Sequence, residues 1–145
     1  MHDIFHQMMA MQTLLMRQLM KRLEGTAIST GQPKVLAYLR SHEGRPQKEI
    51  ASACLIEPGS LTVLLNRMEK QGMIERRFRD GDRRSRCIFL TAYGRELAER
   101  VIEEFYAVEA LAFEGIPKEE CAQFAALCGK VLENLTPNRE QEEGL

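Results

Sequence analysis

Apolar residues return at steps of three and four along most of this chain, and at steps of two in one short stretch. The first stripe is Ile4, Met8, Met11, Leu15 and Leu19, with Leu23 continuing it, and it predicts a long amphipathic helix from Asp3 to about Glu24. Gly25 is a fitting stop. Val35, Leu36 and Leu39 supply the buried side of a second helix that opens near Ser29–Gly31 and closes at His42-Glu43-Gly44, with Tyr38 near its edge. Two caps compete for its start. Pro33 belongs in a first turn and argues for Thr30, whereas the spacing Ser29-x-x-Gln32 argues for Ser29 as a capping box. Thr30 is the preferred reading. Arg45-Pro46 predicts a brief extended piece that pairs with a later hairpin.

From Gln47 to Thr91 the pattern tightens. Gln47–Ala53 reads as a short helix with Ile50 and Ala51 inward, the small alanine letting a neighbouring helix come close. Cys54, Leu55 and Ile56 fill the bend that follows. Pro58 suits the first turn of the next helix and Gly72 its end. Between them Leu61, Leu64, Leu65 and Met68 share one buried face. The opposite face shows Ser60, Thr62, Val63, Asn66, Arg67 and Lys70. Two strand-like runs come next, Met73–Arg79 and Cys87–Thr91, joined by an arginine-rich loop around Asp80-Gly81-Asp82. Two helices across a tight bend, followed by a basic β-hairpin, make a winged helix-turn-helix, so the predicted class is α+β and mostly α.

After the hairpin Thr91 caps a helix through about Phe113, whose buried stripe is Leu97, Val101, Phe105, Val108 and Leu111. Its outer face sets Arg95 four residues from Glu99 and Glu96 four from Arg100, pairs worth about 0.3 kcal/mol each. Gly115 and Pro117 break the chain, and a last helix runs from about Lys118 to Leu135. Its Cys121, Phe124, Cys128, Val131 and Leu135 form a heptad seam that needs a partner. Together with Ile4, Met8 and Met11 of the first helix, that seam is the expected dimer interface. The organisation is one domain over residues 1–145: dimerisation helices at 3–28 and 92–136, the winged helix-turn-helix at 29–91, and an acidic, frayed tail at 137–145.

Charge changes the picture. The whole chain carries a net −1, but Thr62 to Arg86 holds 8 Lys+Arg against 4 Asp+Glu, so this stretch is +4 and the remainder −5. Such concentration of positive charge is the footprint of a nucleic-acid surface. A solvated arginine-rich hairpin is the plain alternative, and the polar helix face beside it weighs against that alternative. Short polar groups on the helix suit base edges, while its Arg67 and Lys70 and the hairpin's Arg77, Arg79, Arg83 and Arg86 suit phosphates. Gln47 and Lys48, at the start of the first helix of the pair, can meet a phosphate as well.

At these residues the chain resembles the MarR (multiple antibiotic resistance regulator) family. The resemblance is carried by EPGSLTVLLNRMEKQGMIERR and DGDRRSRCIFLTAYG, above all by Asp82-Arg83-Arg84, then Ile88-Phe89-Leu90-Thr91, then Gly94. These match the family's D-x-R wing signature and its L-T-x-x-G helix start. The resemblance implies a homodimer on a near-palindromic double-stranded DNA operator, with repression the family habit. It implies that Arg84, oriented by Asp82, enters a minor groove while the helix from Pro58 lies in the major groove. It also implies a small-molecule effector pocket, for which Met9, Met16, Tyr38 and Phe105 are the candidate lining.

Other chemistry finds little footing. There is no Gly-rich phosphate loop, nucleophile elbow or paired carboxylate motif, and His2, His6 and His42 are scattered, so neither catalysis nor a metal or cofactor is expected. Cys54, Cys87, Cys121 and Cys128 lack a C-x-x-C pair and read as reduced thiols. Cys87, beside Arg86, is the candidate should one thiol react, although a packed strand residue is the stronger reading. The methionines at 8, 9, 11, 16 and 20 suit an adaptable dimer surface or a pocket, and plain core packing equally well. With 44% hydrophobic and 28% charged residues, no bilayer-length apolar run and no secretory signal, a soluble cytoplasmic protein is expected. Two rival readings stand beside the regulator: a winged-helix module for a protein partner, and a redox or metal switch with DNA binding as its output.

Overall fold

The computed structural model describes residues 2–137. The described elements are α1 (His2–Arg22), α2 (Gln32–Ser41), β1 (Arg45–Pro46), α3 (Gln47–Cys54), α4 (Pro58–Lys70), β2 (Ile74–Arg79), β3 (Asp82–Leu90), α5 (Ala92–Ala112) and α6 (Lys118–Leu135). The strands make one antiparallel sheet in the order β1-β3-β2. This is the mostly helical winged fold that the periodicities predict, with Arg45-Pro46 pairing on β3 as expected. The chain forms two compact units that divide between Glu109 and Ala110, inside α5. Residues 138–145 of the expected acidic tail lie outside the described residues.

The first unit is built round a core in which Leu36, Leu39, Ile50, Leu61, Leu65, Met68, Met73, Ile88 and Val101 are almost wholly shielded from water. Each fully buried aliphatic side chain contributes about 1.5–3 kcal/mol. α4 sits in the middle of this core. Glu57 caps it by accepting the backbone N–H groups of Gly59 at 3.1 Å and Ser60 at 3.0 Å. Its far end closes when Gly72 turns left-handed at φ +76, donating to Glu69 O while Met73 N–H donates to Met68 O. The start of α2 differs from expectation. Neither Thr30 nor Ser29 caps it; Gly31 precedes it at φ +90 with no side-chain cap. Half of a capping box does form, because Gln32 Oε1 accepts the Ser29 N–H at 3.0 Å. Gln32 is fully buried, and its Nε2 donates to Gln71 Oε1 at 2.8 Å while Gln71 Nε2 donates to Ala27 O at 3.1 Å. Those amides tie the start of α2 to the end of α4.

The bend between α3 and α4 is also rearranged. Cys54 is buried and finishes α3, but Leu55 is 76% exposed rather than filling the bend. Its left-handed backbone, φ 54, ends α3 by letting Ile56 N–H donate to Ala51 O, and that turn swings the Leu55 side chain outward. The hairpin is longer than predicted on its returning side: β3 begins at Asp82, not Cys87, and the connection is only Asp80-Gly81. Arg83, Arg84 and Arg86 therefore stand on a strand. Neither face of the hairpin tip is buried, so no alternation of hydrophobicity marks it.

α5 begins with a three-way join. Thr91 N–H donates to Met73 O at 3.1 Å, its hydroxyl donates to Gly72 O at 2.6 Å, and the same oxygen accepts Gly94 N–H at 3.0 Å. Gly94 packs so close that a Cβ there would lie 1.9 Å from Met73 O. Leu97, Val101 and Val108 are buried as predicted, but Phe105 and Leu111 are exposed. The predicted ion pairs Arg95–Glu99 and Glu96–Arg100 give way to others: Arg95–Glu43, Arg40–Glu99 and Arg100–Glu104. Two of these reach α2 and the turn after it, which periodicity along α5 could not show. Of the stripe Ile4–Leu23, Leu19 and Leu23 are buried; Ile4, Met8, Met11 and Leu15 are exposed and take no part in the core of the first unit. In the second unit no residue of α6 is buried. Its Phe124 packs a tilted ring against Phe113, with centroids 5.6 Å apart.

Gly94→Ala is expected to destabilise the protein by about 1–3 kcal/mol, since backbone must move to admit the methyl group. Thermal unfolding checks this; an unchanged Tm would mean that the α5 start floats free of Met73.

Candidate nucleic-acid interface

The exposed face of α4 is set by its buried one. With Leu61, Leu65 and Met68 inward, Val63, Asn66 and Lys70 fall on the far side, flanked by Ser60, Thr62 and Arg67. All six are exposed, Val63 at 70%. Several of their polar groups are already engaged. The Ser60 hydroxyl donates to Glu57 Oε2 at 3.3 Å. The Thr62 hydroxyl donates to Pro58 O at 3.0 Å and accepts from Gln47 Nε2. Thr62 thus uses its hydroxyl at home and, with Val63, offers apolar surface, the kind that meets a thymine methyl. Half-buried Gln47 braces α4 from the start of α3, and Lys48 beside it is exposed.

The arginines of the wing fall into two sets. Arg76 is tucked against α4, and Arg77 pairs with Glu75 at 3.4 Å while its guanidinium lies 3.8 Å over the Phe89 ring. Among the described residues, Arg79, Arg83 and Arg86 make no ion pair, and all are exposed, as are the unpaired Arg67, Lys70 and Lys48. Their charge faces water unneutralised. Arg84 is different again. Its side chain is 92% exposed, yet Asp82 Oδ1 accepts from both its backbone N–H at 3.0 Å and its Nε at 3.3 Å. The Asp82 carboxyl is held below the usual aspartate range, first by the Arg84 backbone N–H and then by the Arg84 side chain. Glu57 is likewise lowered, by the N–H groups of Gly59 and Ser60.

Some contributors escaped the sequence reading. Glu43 accepts Leu90 N–H at 3.1 Å and pairs with Arg95 Nη2 at 2.7 and 2.8 Å, anchoring the root of the wing. Glu43 and Arg95 are 52 residues apart, so no local spacing signals the contact. Arg76 did carry a signal: it alternates with buried Ile74 on β2 and so faces inward.

The remaining candidates are scattered. Met9, Met16 and Phe105 are exposed, and Tyr38 is half-buried with its ring stacked on His42 at 4.4 Å. Two open cavities of about 400 and 730 Å³ lie along the hairpin, and neither is lined by any of those four. Of the expected dimer seam, Phe124, Val131 and Leu135 are exposed and Cys121 and Cys128 half-buried. Cys54 and Cys87 are buried free thiols, Cys54 pushed up by that burial against a smaller opposing pull from Lys34. Cys87 is packed at the centre of the sheet, opposite Pro46 and Arg77. Among the described residues no cluster of His, Cys, Asp and Glu gathers as metal ligands, and no helix is long and apolar enough to cross a membrane.

A helix-turn-helix with an arginine-bearing wing defines a class of protein, and comparison with known proteins narrows it. The profile of the MarR family matches residues 28–85. The HTH-type transcriptional regulator PecS of Dickeya dadantii is 35% identical over 130 residues, 87% of this chain and 78% of PecS. The HTH-type transcriptional repressor MdtR of Bacillus subtilis is 26% identical over 141 residues, 97% of this chain and 91% of MdtR. The crystal structure of the S. aureus MepR–DNA complex superposes with a TM-score of 0.78 at 26% identity, covering 94% of this chain and 99% of that one. The chain belongs to the MarR family of helix-turn-helix transcriptional regulators.

Because the folded Asp82 titrates below its unfolded value, its contribution to stability is present above the unfolded value and is lost as pH falls through the folded one. Carboxyl NMR titration is expected to show a midpoint below that of an ordinary aspartate. Arg84→Ala should raise that midpoint only part of the way, because the residue 84 backbone N–H remains. A midpoint at the ordinary value in the parent protein would mean that the Asp82–Arg84 contact does not persist in solution.

Proposed function

We propose that this chain is a sequence-specific repressor that binds double-stranded DNA as a homodimer, on a near-palindromic operator, and leaves it when a small molecule binds. The observation that carries the reading is Arg84: a side chain 92% exposed, its guanidinium aimed by Asp82, on a wing beside the open polar face of α4. α4 has the dimensions and side chains of a major-groove reader. Arg84 is placed for the adjacent minor groove, whose narrowing over A·T runs concentrates negative potential. Arg79, Arg83, Arg86, Arg67, Lys70 and Lys48 supply charge for the backbone between. MepR, solved with DNA, supports the partner, and MdtR, named as a repressor, supports the sign of regulation.

Dimerisation is supported by the apolar surface left open on α1 and α6. Exposed Ile4, Met8, Met11, Phe124, Val131 and Leu135 form faces of the kind that a second copy covers. Met9, Met16, Tyr38 and Phe105 are the lining we assign to an effector site. A ligand there shifts the spacing of two wings only by binding one state more tightly than the other. We assign the protein to the cytoplasm, where a bacterial chromosome is met, and give it no catalytic role.

Genomic binding-site selection with purified protein, followed by footprinting, tests the reading. The expected result is an inverted repeat whose half-sites lie about 34–36 Å apart or a multiple of that. Failure to enrich any sequence over random fragments would refute the assignment. On the selected site Arg84→Ala should weaken binding roughly 5- to 150-fold, and equal gel shifts would remove Arg84 from the groove. Arg79→Ala should weaken all sequences alike and flatten the slope of log affinity against log salt by about one unit. An unchanged slope would take Arg79 out of the interface. Sedimentation equilibrium should give twice the chain mass; a monomer at micromolar concentration would contradict the dimer.

A further inference from the structure

One wing arginine does not face solution. Arg76 keeps only 10% of its side chain exposed, because it shares the inward face of β2 with Ile74. Its guanidinium reaches α4, where Nη1 donates to Glu69 Oε1 at 3.1 Å and Nη2 donates to Asn66 Oδ1 at 2.9 Å. A guanidinium carries donors and no acceptor. The Asn66 amide must therefore turn its oxygen toward Arg76, which leaves its NH2 end directed outward. Asn66 itself lies in the middle of the exposed face of α4, with Val63 one turn before it and Lys70 one turn after.

We propose that Arg76 is a positioning residue for base selection. By holding the Asn66 oxygen toward β2 it leaves the amide NH2 end as the one turned outward, so that α4 selects a base whose major-groove edge offers an acceptor without an adjoining donor. Guanine N7 and O6 and thymine O4 meet that description; the cytosine N4 amino group does not. An unconstrained asparagine is ambidextrous. It grips adenine with both ends, donating to N7 and accepting from N6, or flips to present its oxygen to cytosine. The bond from Arg76 turns the accepting end of the amide away from the partner in both cases. Glu69 holds the other arm of the guanidinium and balances its charge, so Arg76 orients Asn66 rather than attracting phosphate. This inference rests on the DNA-binding reading above.

The test is selection from a random duplex library with the full-length protein and three variants, each profile read as relative base preference. The parent should show one position in each half-site that favours guanine or thymine and depletes cytosine. In Asn66→Asp the carboxylate still accepts from Arg76 but has no donor. Its preference at that one position should swing toward cytosine by roughly ten-fold, with other positions unmoved. In Arg76→Met the amide is freed, and the same position should broaden to admit adenine and cytosine. The salt slope should stay parental, since a guanidinium this buried neutralises no phosphate. Arg76→Lys, another donor-only group, should restore the parental preference in part.

Asn66 is exposed, so Asn66→Asp keeps the test decisive even if Arg76→Met proves insoluble. An Asn66→Asp profile identical to the parent overturns the proposal, as does an Arg76→Met profile that keeps the parental preference at the altered position. A parent that enriches a clear motif while Asn66→Asp changes nothing sinks this inference alone. A parent that enriches nothing sinks the operator-binding reading and this inference together.

Discussion

The packing of the α5 start against the turn at the end of α4 holds the interface in shape. Thr91 bonds to Gly72 and Met73, and the missing Cβ of Gly94 lets the helix press against a backbone carbonyl. That contact joins α4, with its exposed polar face, to the root of the arginine-bearing hairpin. α4 ends at Gly72, β2 begins at Ile74, and β3 returns to Leu90 one residue before the join. Glu43 adds a second fastening from the turn after α2 by taking the Leu90 N–H and the Arg95 guanidinium. The wing is a two-stranded projection whose buried residues, Ile74, Cys87, Ile88 and Leu90, all sit near its root, and none from Glu75 to Arg86 is buried. Its angle to α4 is therefore inherited from this root.

Charge is deployed in layers outward from that root. Arg95 is paired at the base and Arg76 is folded under the wing against α4. Arg77 is laid across Phe89, and Arg84 stands in the open with only Asp82 to steer it. Paired or stacked arginines fix geometry because directional bonds or an aromatic face hold the guanidinium plane. Exposed ones keep their donors and their charge for a partner. An arginine count over this stretch cannot separate the two groups.

The same division appears on α4. Ser60, Thr62 and Asn66 look equivalent as short polar residues on an exposed face, but each is already committed to a different neighbour: Glu57, Gln47 and Arg76. What the helix presents is therefore narrower than its composition suggests. It consists of a methyl edge at Thr62 and Val63, an amide at Asn66 and two cations beyond it.

The sequence by itself determined the order of elements, the winged fold and the family. Strong helical stripes, Pro58 and Gly72 at the two ends of one helix, and Asp82-Arg83-Arg84 before Thr91 and Gly94 are local signals, complete within a few residues. It also located the basic stretch, because charge adds up along a chain without reference to folding. Tertiary structure alone decided which predicted partners are real. Arg95 left its neighbour on α5 for Glu43, and Glu99 was taken by Arg40 of α2. Thr30 lost the α2 cap to a left-handed Gly31. Leu55 turned outward, and the Ile4–Leu15 stripe stayed exposed. The pairings of Arg95 and Glu99 depend on groups distant in sequence, and the α2 start and the Leu55 turn depend on backbone conformations that periodicity does not encode. Periodicity says that a face is apolar or charged, and only the folded arrangement says what that face meets.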